Sequence, residues 1–94
     1  MMTKDKYLLA KQLFDRDDLT GSLRILNECV LVEPADKNVF DLRARIRFKQ
    51  QEWGGAMNDF LSVLELEPEN TEAKTGLEMT KNILAYFNPD LYNP

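Results

Sequence analysis

The sequence predicts an all-α fold made of two helical hairpins and a closing helix. The 94-residue chain matches itself when it is shifted by 34 residues, which indicates that residues 3–36 and 37–70 are two copies of one unit. Within each copy, apolar residues recur at helical spacing on both sides of a glycine-containing segment, a pattern typical of two helices joined by a turn. The identical pairs are Leu8 with Leu42, Ala10 with Ala44, Phe14 with Phe48, Gly21 with Gly55, Glu33 with Glu67 and Pro34 with Pro68.

The first copy predicts one helix from about Lys4 to Arg16 and a second that continues to about Val32. A turn over residues 17–21, which contains two aspartates and a glycine, separates them. Pro34 ends the second helix, because the residue before a proline is biased away from helical backbone.

The second copy repeats this plan. It predicts a helix from about Asn38 to Gln50, a turn over residues 51–54 and a helix that ends near Leu66, before Pro68. The matching lengths of the two copies predict two hairpins of the same size.

Residues 71–87 predict a fifth helix that closes the array. Asn70 is a suitable N-cap for it, because its side chain can accept a hydrogen bond from an otherwise unpaired backbone N–H. Asn88 and Pro89 end the helix, and residues 88–94 form a tail.

The composition argues against most enzyme and metal chemistry. The chain has no histidine and one cysteine, so it lacks the usual general base and cannot build an internal disulfide or a thiolate zinc site. That cysteine, Cys29, falls at the repeat position of Val63, which predicts a small core residue. We therefore expect no enzyme activity, no cofactor and no metal.

The charge and hydropathy pattern restrict the partners. Twelve Lys and Arg against 16 Asp and Glu give a net charge of −4, which disfavours nucleic acid and anionic membrane surfaces. No apolar run approaches the ~18 residues of a membrane span, and the first residues lack the apolar block of a signal peptide. We expect a cytoplasmic protein that binds neither nucleic acid nor membrane.

The repeat unit resembles the tetratricopeptide repeat (TPR) family. The second copy carries the family pattern best, with Phe40 in the Trp position, Ala44 in the Gly position, and Ala56, Phe60 and Pro68 in the later Ala, Phe and Pro positions. The resemblance covers about residues 3–87 and implies an α-α superhelix of two TPR hairpins plus a C-terminal capping helix. The sequence that ends the chain also resembles the tails of small bacterial proteins with two such repeats.

The family resemblance implies a non-catalytic module that binds a protein or peptide in a concave groove. The first helix of each hairpin and the capping helix would line this groove. The residues that the resemblance assigns to it are Tyr7, Lys11, Phe14, Asp41, Arg45, Phe48, Lys49, Thr75, Met79 and Asn82.

Four basic residues of the third predicted helix divide between two faces. Residues two apart on a helix point about 200° away from each other, so Arg43 and Arg47 share one face while Arg45 and Lys49 share another. We expect Arg43 and Arg47 to pair with acidic residues of the adjacent helix. Arg45 and Lys49 are either solvated or, together with Lys11, receive an acidic partner segment.

The end of the chain concentrates apolar side chains at Tyr86, Phe87, Leu91 and Tyr92. Two interpretations stay open. The tail folds back and caps the open end of the array, or the same surface makes a homodimer or partner contact.

Overall fold

The structure, a computed structural model, describes residues 3–87 and confirms the prediction of an all-α fold. Every regular element within these residues is a helix. The helices are α1 (Thr3–Asp15), α2 (Leu19–Val32), α3 (Lys37–Lys49), α4 (Trp53–Leu66) and α5 (Thr71–Phe87). Consecutive helices pack against one another, so α1 with α2 and α3 with α4 form two hairpins, and α5 packs on α4.

Two apolar clusters hold the helices together. The first joins the α1–α2 hairpin to α3 and consists of Ala10, Leu26, Cys29, Val39, Leu42 and Ile46. The second joins the α3–α4 hairpin to α5 and consists of Phe40, Ala44, Ala56, Phe60, Val63 and Ala73. Cys29 is fully buried, as expected for a core residue, and burial raises the pKa of its thiol. The thiol therefore lacks the exposure and thiolate character of a nucleophile.

The turns inside the hairpins are shorter than the sequence predicts. They span residues 16–18 and 50–52, whereas Leu19 and Trp53 are already the first residues of α2 and α4. Both turns use one residue in the left-handed backbone region, Asp17 at φ 63° and Gln51 at φ 61°, 34 positions apart. The next backbone N–H then donates a hydrogen bond to a carbonyl of the preceding helix: Asp18 to Leu13 in the first turn and Glu52 to Arg47 in the second, both at 2.8 Å. These hydrogen bonds satisfy carbonyl groups at the helix ends.

Gly21 lies inside α2 rather than in the turn, and its role is to make room for the helix cap. The Asp18 side chain accepts a hydrogen bond from the Gly21 N–H at 2.9 Å. A Cβ at Gly21 would lie 2.6 Å from that carboxylate, so a larger residue would displace the cap.

The second hairpin lacks the corresponding cap. Glu52 has nearly the same backbone angles as Asp18 but makes no side-chain cap hydrogen bond. Replacing Glu52 with aspartate should let the shorter carboxylate accept a hydrogen bond from the Gly55 N–H. We expect Glu52→Asp to stabilise the protein by about 0.5–1 kcal/mol in chemical denaturation. Glu52→Gln, whose longer side chain does not suit this cap, is the control and should give no such gain; equal gains in both variants would contradict the capping explanation.

The outward face of α5 is polar, which suits a helix at the end of an array. Its N-terminus is capped as expected, because the Ala73 N–H donates to the Asn70 side chain at 2.8 Å. On α3, Phe40, Ala44 and Phe48 belong to or pack on the second apolar cluster. The residues 34 positions later on α5 are Lys74, Glu78 and Asn82, which are all exposed. The α5 sequence therefore departs from the repeat where a further hairpin would need an apolar surface.

Candidate partner-binding groove

A groove runs between α3 and α5, with Phe60 of α4 at its base. It contains two adjoining pockets of about 340 and 250 Å³, which share Arg45, Phe60, Gly76 and Met79. The larger pocket is completed by Asp41, Thr71, Glu72 and Thr75. The smaller one is completed by Phe48 and Lys49. Because both pockets are open to solvent and share four residues, they form one continuous surface, which we call the α3–α5 groove.

The absence of a side chain at Gly76 creates the base of this groove. The backbone of α5 passes directly over the ring of Phe60, so that a Cβ at position 76 would lie 2.6 Å from Phe60 Cε1. Phe60 is buried and held by the second apolar cluster, so its ring cannot move aside easily. The groove therefore has a fixed apolar base made by a glycine and an aromatic ring.

Apolar side chains also form the walls. Met79 is 49% exposed and flexible, and Phe48 is fixed by an edge-to-face contact with Trp53 at a ring-centroid distance of 5.0 Å. A flexible methionine opposite a fixed aromatic ring can adapt to different apolar side chains. The surface is suited to receive one large apolar side chain of a partner.

Arg45 connects the two walls of the groove through ion pairs. Its Nη2 lies 3.1 Å from the Asp41 carboxylate on its own helix and 3.2 Å from the Glu72 carboxylate on α5. Arg45 is thus paired through one terminal nitrogen with a carboxylate of its own helix and one of α5, rather than solvated alone.

Lys49 forms weaker contacts at the other end of the groove. Its Nζ lies 3.9 Å from Asp17 and 5.3 Å from the centroid of the Phe14 ring. All three residues belong to the α1–α3 side of the molecule, and the lysine is half-exposed. Contacts of this kind contribute little to stability, so Lys49 can be redirected by a ligand.

Asp41 carries a negative charge in an unfavourable place. Burial raises the pKa of its carboxyl group most; the charge of Arg45 lowers it, the charge of Glu72 raises it, and Lys37 lowers it, so that the pKa stays above its ordinary value. Tyr7 is nearby, and the pKa of its hydroxyl is raised by burial first and then by the charge of Asp41. The end of the groove near Asp41 and Glu72 therefore has an excess of negative charge.

The structure brings together six of the residues assigned to the groove by resemblance, namely Asp41, Arg45, Phe48, Lys49, Thr75 and Met79. The other four, Tyr7, Lys11, Phe14 and Asn82, do not line either pocket. Tyr7 lines a separate pocket at the N-terminal end of α1, and Lys11 is exposed on α1. Phe60, Gly76 and Glu72 are groove residues that sequence reasoning did not assign.

The other two arginines of α3 pair with α4, as expected. Arg43 makes two hydrogen bonds to the Asp59 carboxylate, at 2.9 and 2.8 Å, and Arg47 makes one at 3.1 Å. Arg43 also donates to the Asn27 side chain at 2.9 Å, which ties α3 to α2. These arginines belong to the framework rather than to the groove.

The aromatic residues that end α5 are exposed. Tyr86 is 82% exposed and Phe87 is 66% exposed. Their rings contact each other edge-to-face, with the ring centroids 5.3 Å apart. Leu91 and Tyr92, the other residues of the expected capping or self-association surface, lie outside the described residues. The exposed pair is the part of that surface that the structure defines.

Comparison with known proteins gives no assignment: no family model matches the chain, and no curated protein matches it. Within residues 3–87, no helix is both long and apolar enough to span a membrane. The same residues contain no group of three or more His, Cys, Asp or Glu side chains arranged to hold a metal ion. The geometry of the groove is therefore the main guide to function.

Removing the charge of Asp41 should stabilise the protein at neutral pH. A carboxyl group whose pKa is raised on folding favours the folded state when protonated, so its contribution is largest below the unfolded pKa of about 3.9 and is lost as the pH rises through the folded value. Asparagine stays neutral throughout. We therefore expect Asp41→Asn to raise the melting temperature at pH 7, with the difference shrinking as the pH falls toward 4.

The control for this prediction is Glu78→Gln, which removes the same charge from the outward face of α5. It should leave the melting temperature nearly unchanged at both pH values. A loss of stability in Asp41→Asn at pH 7 would mean that the ion pair with Arg45 outweighs the burial of the carboxylate.

Proposed function

We propose that this protein is a two-repeat TPR-type interaction module that binds a peptide or protein segment in the α3–α5 groove. The observation that carries the proposal is the groove itself, with a fixed apolar base at Phe60 and Gly76, a half-exposed methionine, and charged residues at both ends. The 34-residue period of the sequence and the matching turn geometry of the two hairpins support the family assignment.

The proposed activity is non-catalytic and needs no cofactor. The chain has no histidine, and its single thiol is fully buried. The net charge of −4 and the carboxylates around Arg45 favour a protein partner over nucleic acid or an anionic membrane. A cytoplasmic location is part of the proposal, in keeping with a single unpaired cysteine.

The test is a pull-down from the native host lysate with identification of captured proteins by mass spectrometry. Wild type is compared with Met79→Glu, which puts a charge into the apolar wall of the groove. The matched control is Leu31→Glu, which makes the same kind of change at an exposed apolar residue of α2. We expect wild type and Leu31→Glu to capture a common partner that folded Met79→Glu does not; capture of that partner by all three would contradict binding in the groove.

A second candidate function is self-association through the end of α5. It is favoured by the exposed side chains of Tyr86 and Phe87, whose rings contact each other edge-to-face. Light scattering of the full chain and of the Tyr86→Ser, Phe87→Ser variant separates the two proposals. A dimer that becomes monomeric in the variant supports self-association, whereas a monomer in both proteins contradicts it.

A further inference from the structure

The charges of the α3–α5 groove are unbalanced at the end formed by the first turns of α3 and α5. Asp41 and Glu72 share a single cation, Arg45. The nearest other cation of α3 is Lys37, but it is bound to Glu67 at 2.7 Å. This end of the groove therefore holds one negative charge more than the described side chains neutralise.

The position of Asp41 makes this excess charge significant. Its carboxylate is partly buried, and the attractions of Arg45 and Lys37 do not offset the combined effect of burial and of Glu72 on its pKa. A second cation beside Asp41 would favour the charged form of its carboxyl group. Charge-assisted hydrogen bonds to such carboxylates are stronger than those between neutral groups.

An acidic ligand has no equivalent site in the groove. To bind Arg45, it would have to approach a guanidinium that two carboxylates already contact, and both carboxylates would repel it. Lys49 is the other cation of the groove lining, and it is half-exposed, so its attraction for a carboxylate is weakened by solvent. Charge complementarity thus favours a basic partner.

The apolar pocket between Phe48 and Met79 is close enough to the Asp41 and Glu72 carboxylates for one ligand segment to contact both. Asp41 and Phe48 are seven residues apart on α3, which corresponds to about 10 Å along the helix axis. In an extended peptide, residues two apart point to the same side and are separated by about 7 Å. The length of a Lys or Arg side chain covers the remaining distance, so both contacts can be made at once.

We propose that the α3–α5 groove recognises an extended segment in which a lysine or arginine stands two residues from a large apolar residue. The cation binds the carboxylate oxygens that Arg45 does not contact, Oδ1 of Asp41 and Oε1 of Glu72, and the apolar side chain enters the pocket between Phe48 and Met79. This inference rests on the proposed function, because it specifies the chemistry of the segment that the groove binds.

A displayed library of random heptapeptides tests this inference without a known partner. The library is selected on full-length wild type, on Glu72→Lys, and on Glu78→Lys as the control with the same charge change on the outward face of α5. We expect wild type and Glu78→Lys to enrich a basic residue two positions from an aromatic or aliphatic one. Glu72→Lys should lose that preference, and enrichment of acidic peptides on wild type would overturn the inference.

A defined pair of peptides separates failure of this inference from failure of the proposed function. The probes are Gly-Ser-Lys-Gly-Phe-Gly-Ser and the same peptide with Glu for Lys, titrated into isotopically labelled protein by NMR. We expect the lysine peptide to shift the Gly76 and Met79 amides with roughly tenfold higher affinity, and Glu72→Lys to abolish the difference. Equal or tighter binding of the glutamate peptide at those amides overturns the charge preference but leaves the groove as a binding site. Absence of groove-dependent binding in both the titration and the library overturns both proposals.

Discussion

Replacing Asp59 with isoleucine is expected to destabilise the protein by about 2–4 kcal/mol, a large part of the stability of a domain of this size. Asp59 is 1% exposed and accepts hydrogen bonds from both Arg43 and Arg47. Its removal would leave two largely buried guanidinium groups without their anion. The measurement is chemical denaturation followed by circular dichroism.

The first hairpin supplies the control for this experiment. The positions 34 residues before Arg43, Arg47 and Asp59 are occupied by Leu9, Leu13 and Ile25, so the same three sites are apolar there. The triple variant Arg43→Leu, Arg47→Leu, Asp59→Ile should therefore recover most of the stability lost in Asp59→Ile, because no charge is left unpaired. If the triple variant is as unstable as the single one, the stability at this site depends on the ion pairs themselves rather than on charge balance.

The same network illustrates what the sequence could and could not predict. The spacing of Arg43 and Arg47 predicts that they share a face and pair with the adjacent helix, and both do. It does not identify Asp59, because residues 52–69 offer several acidic side chains of similar spacing. The signal that singles it out is the repeat alignment, in which Asp59 alone among them replaces a core-facing isoleucine.

The sequence predicted the five helices, but it placed the ends of the two hairpin turns two or three residues too late in the chain. Gly21 suggests a turn, but the cap on Asp18 lets α2 begin before it. Pattern reasoning assigns glycine to a turn by its backbone freedom, and here glycine serves instead to leave space for a capping side chain. The N-cap and both ends of α5 needed no such tertiary information and agree with the sequence prediction.

The groove was only partly predictable, because its shape depends on contacts between helices. Family resemblance selects the faces of α3 and α5, and so finds Arg45 and Met79. It does not reveal that Arg45 is neutralised by carboxylates on two helices, or that the ring of Phe60 forms the base. The pair with Asp41 has i,i+4 spacing within α3, but the pair with Glu72 and the position of Phe60 depend on how α5 packs against α3 and α4, which no pattern within one helix encodes.

Replacing Gly76 with leucine is expected to have a comparably large effect, because the new side chain would occupy the space of the Phe60 ring. Overpacking of this kind destabilises a protein by about 1–3 kcal/mol, and sometimes by more. Leucine has a better helix propensity than glycine, so an increase in stability would be the outcome if the ring could move aside. Thermal melting of Gly76→Leu measures which effect dominates, and a melting temperature above that of wild type would contradict the close approach.

A compensating change at Phe60 would establish why glycine occupies position 76. The repeat alignment pairs Phe60 with Leu26 and Gly76 with Leu42, two residues of the first apolar cluster. Phe60→Leu alone should create a cavity and destabilise the protein by about 1–2 kcal/mol, and Phe60→Leu with Gly76→Leu should recover most of both losses. The double variant would then carry at the second interface the pair of residues that the first interface uses.

The double variant would also fill the base of the groove with a leucine side chain. If it folds with near wild-type stability and no longer captures the partner of the wild-type protein, glycine is present at position 76 for the groove; if it binds equally well, glycine serves only to accommodate the phenylalanine.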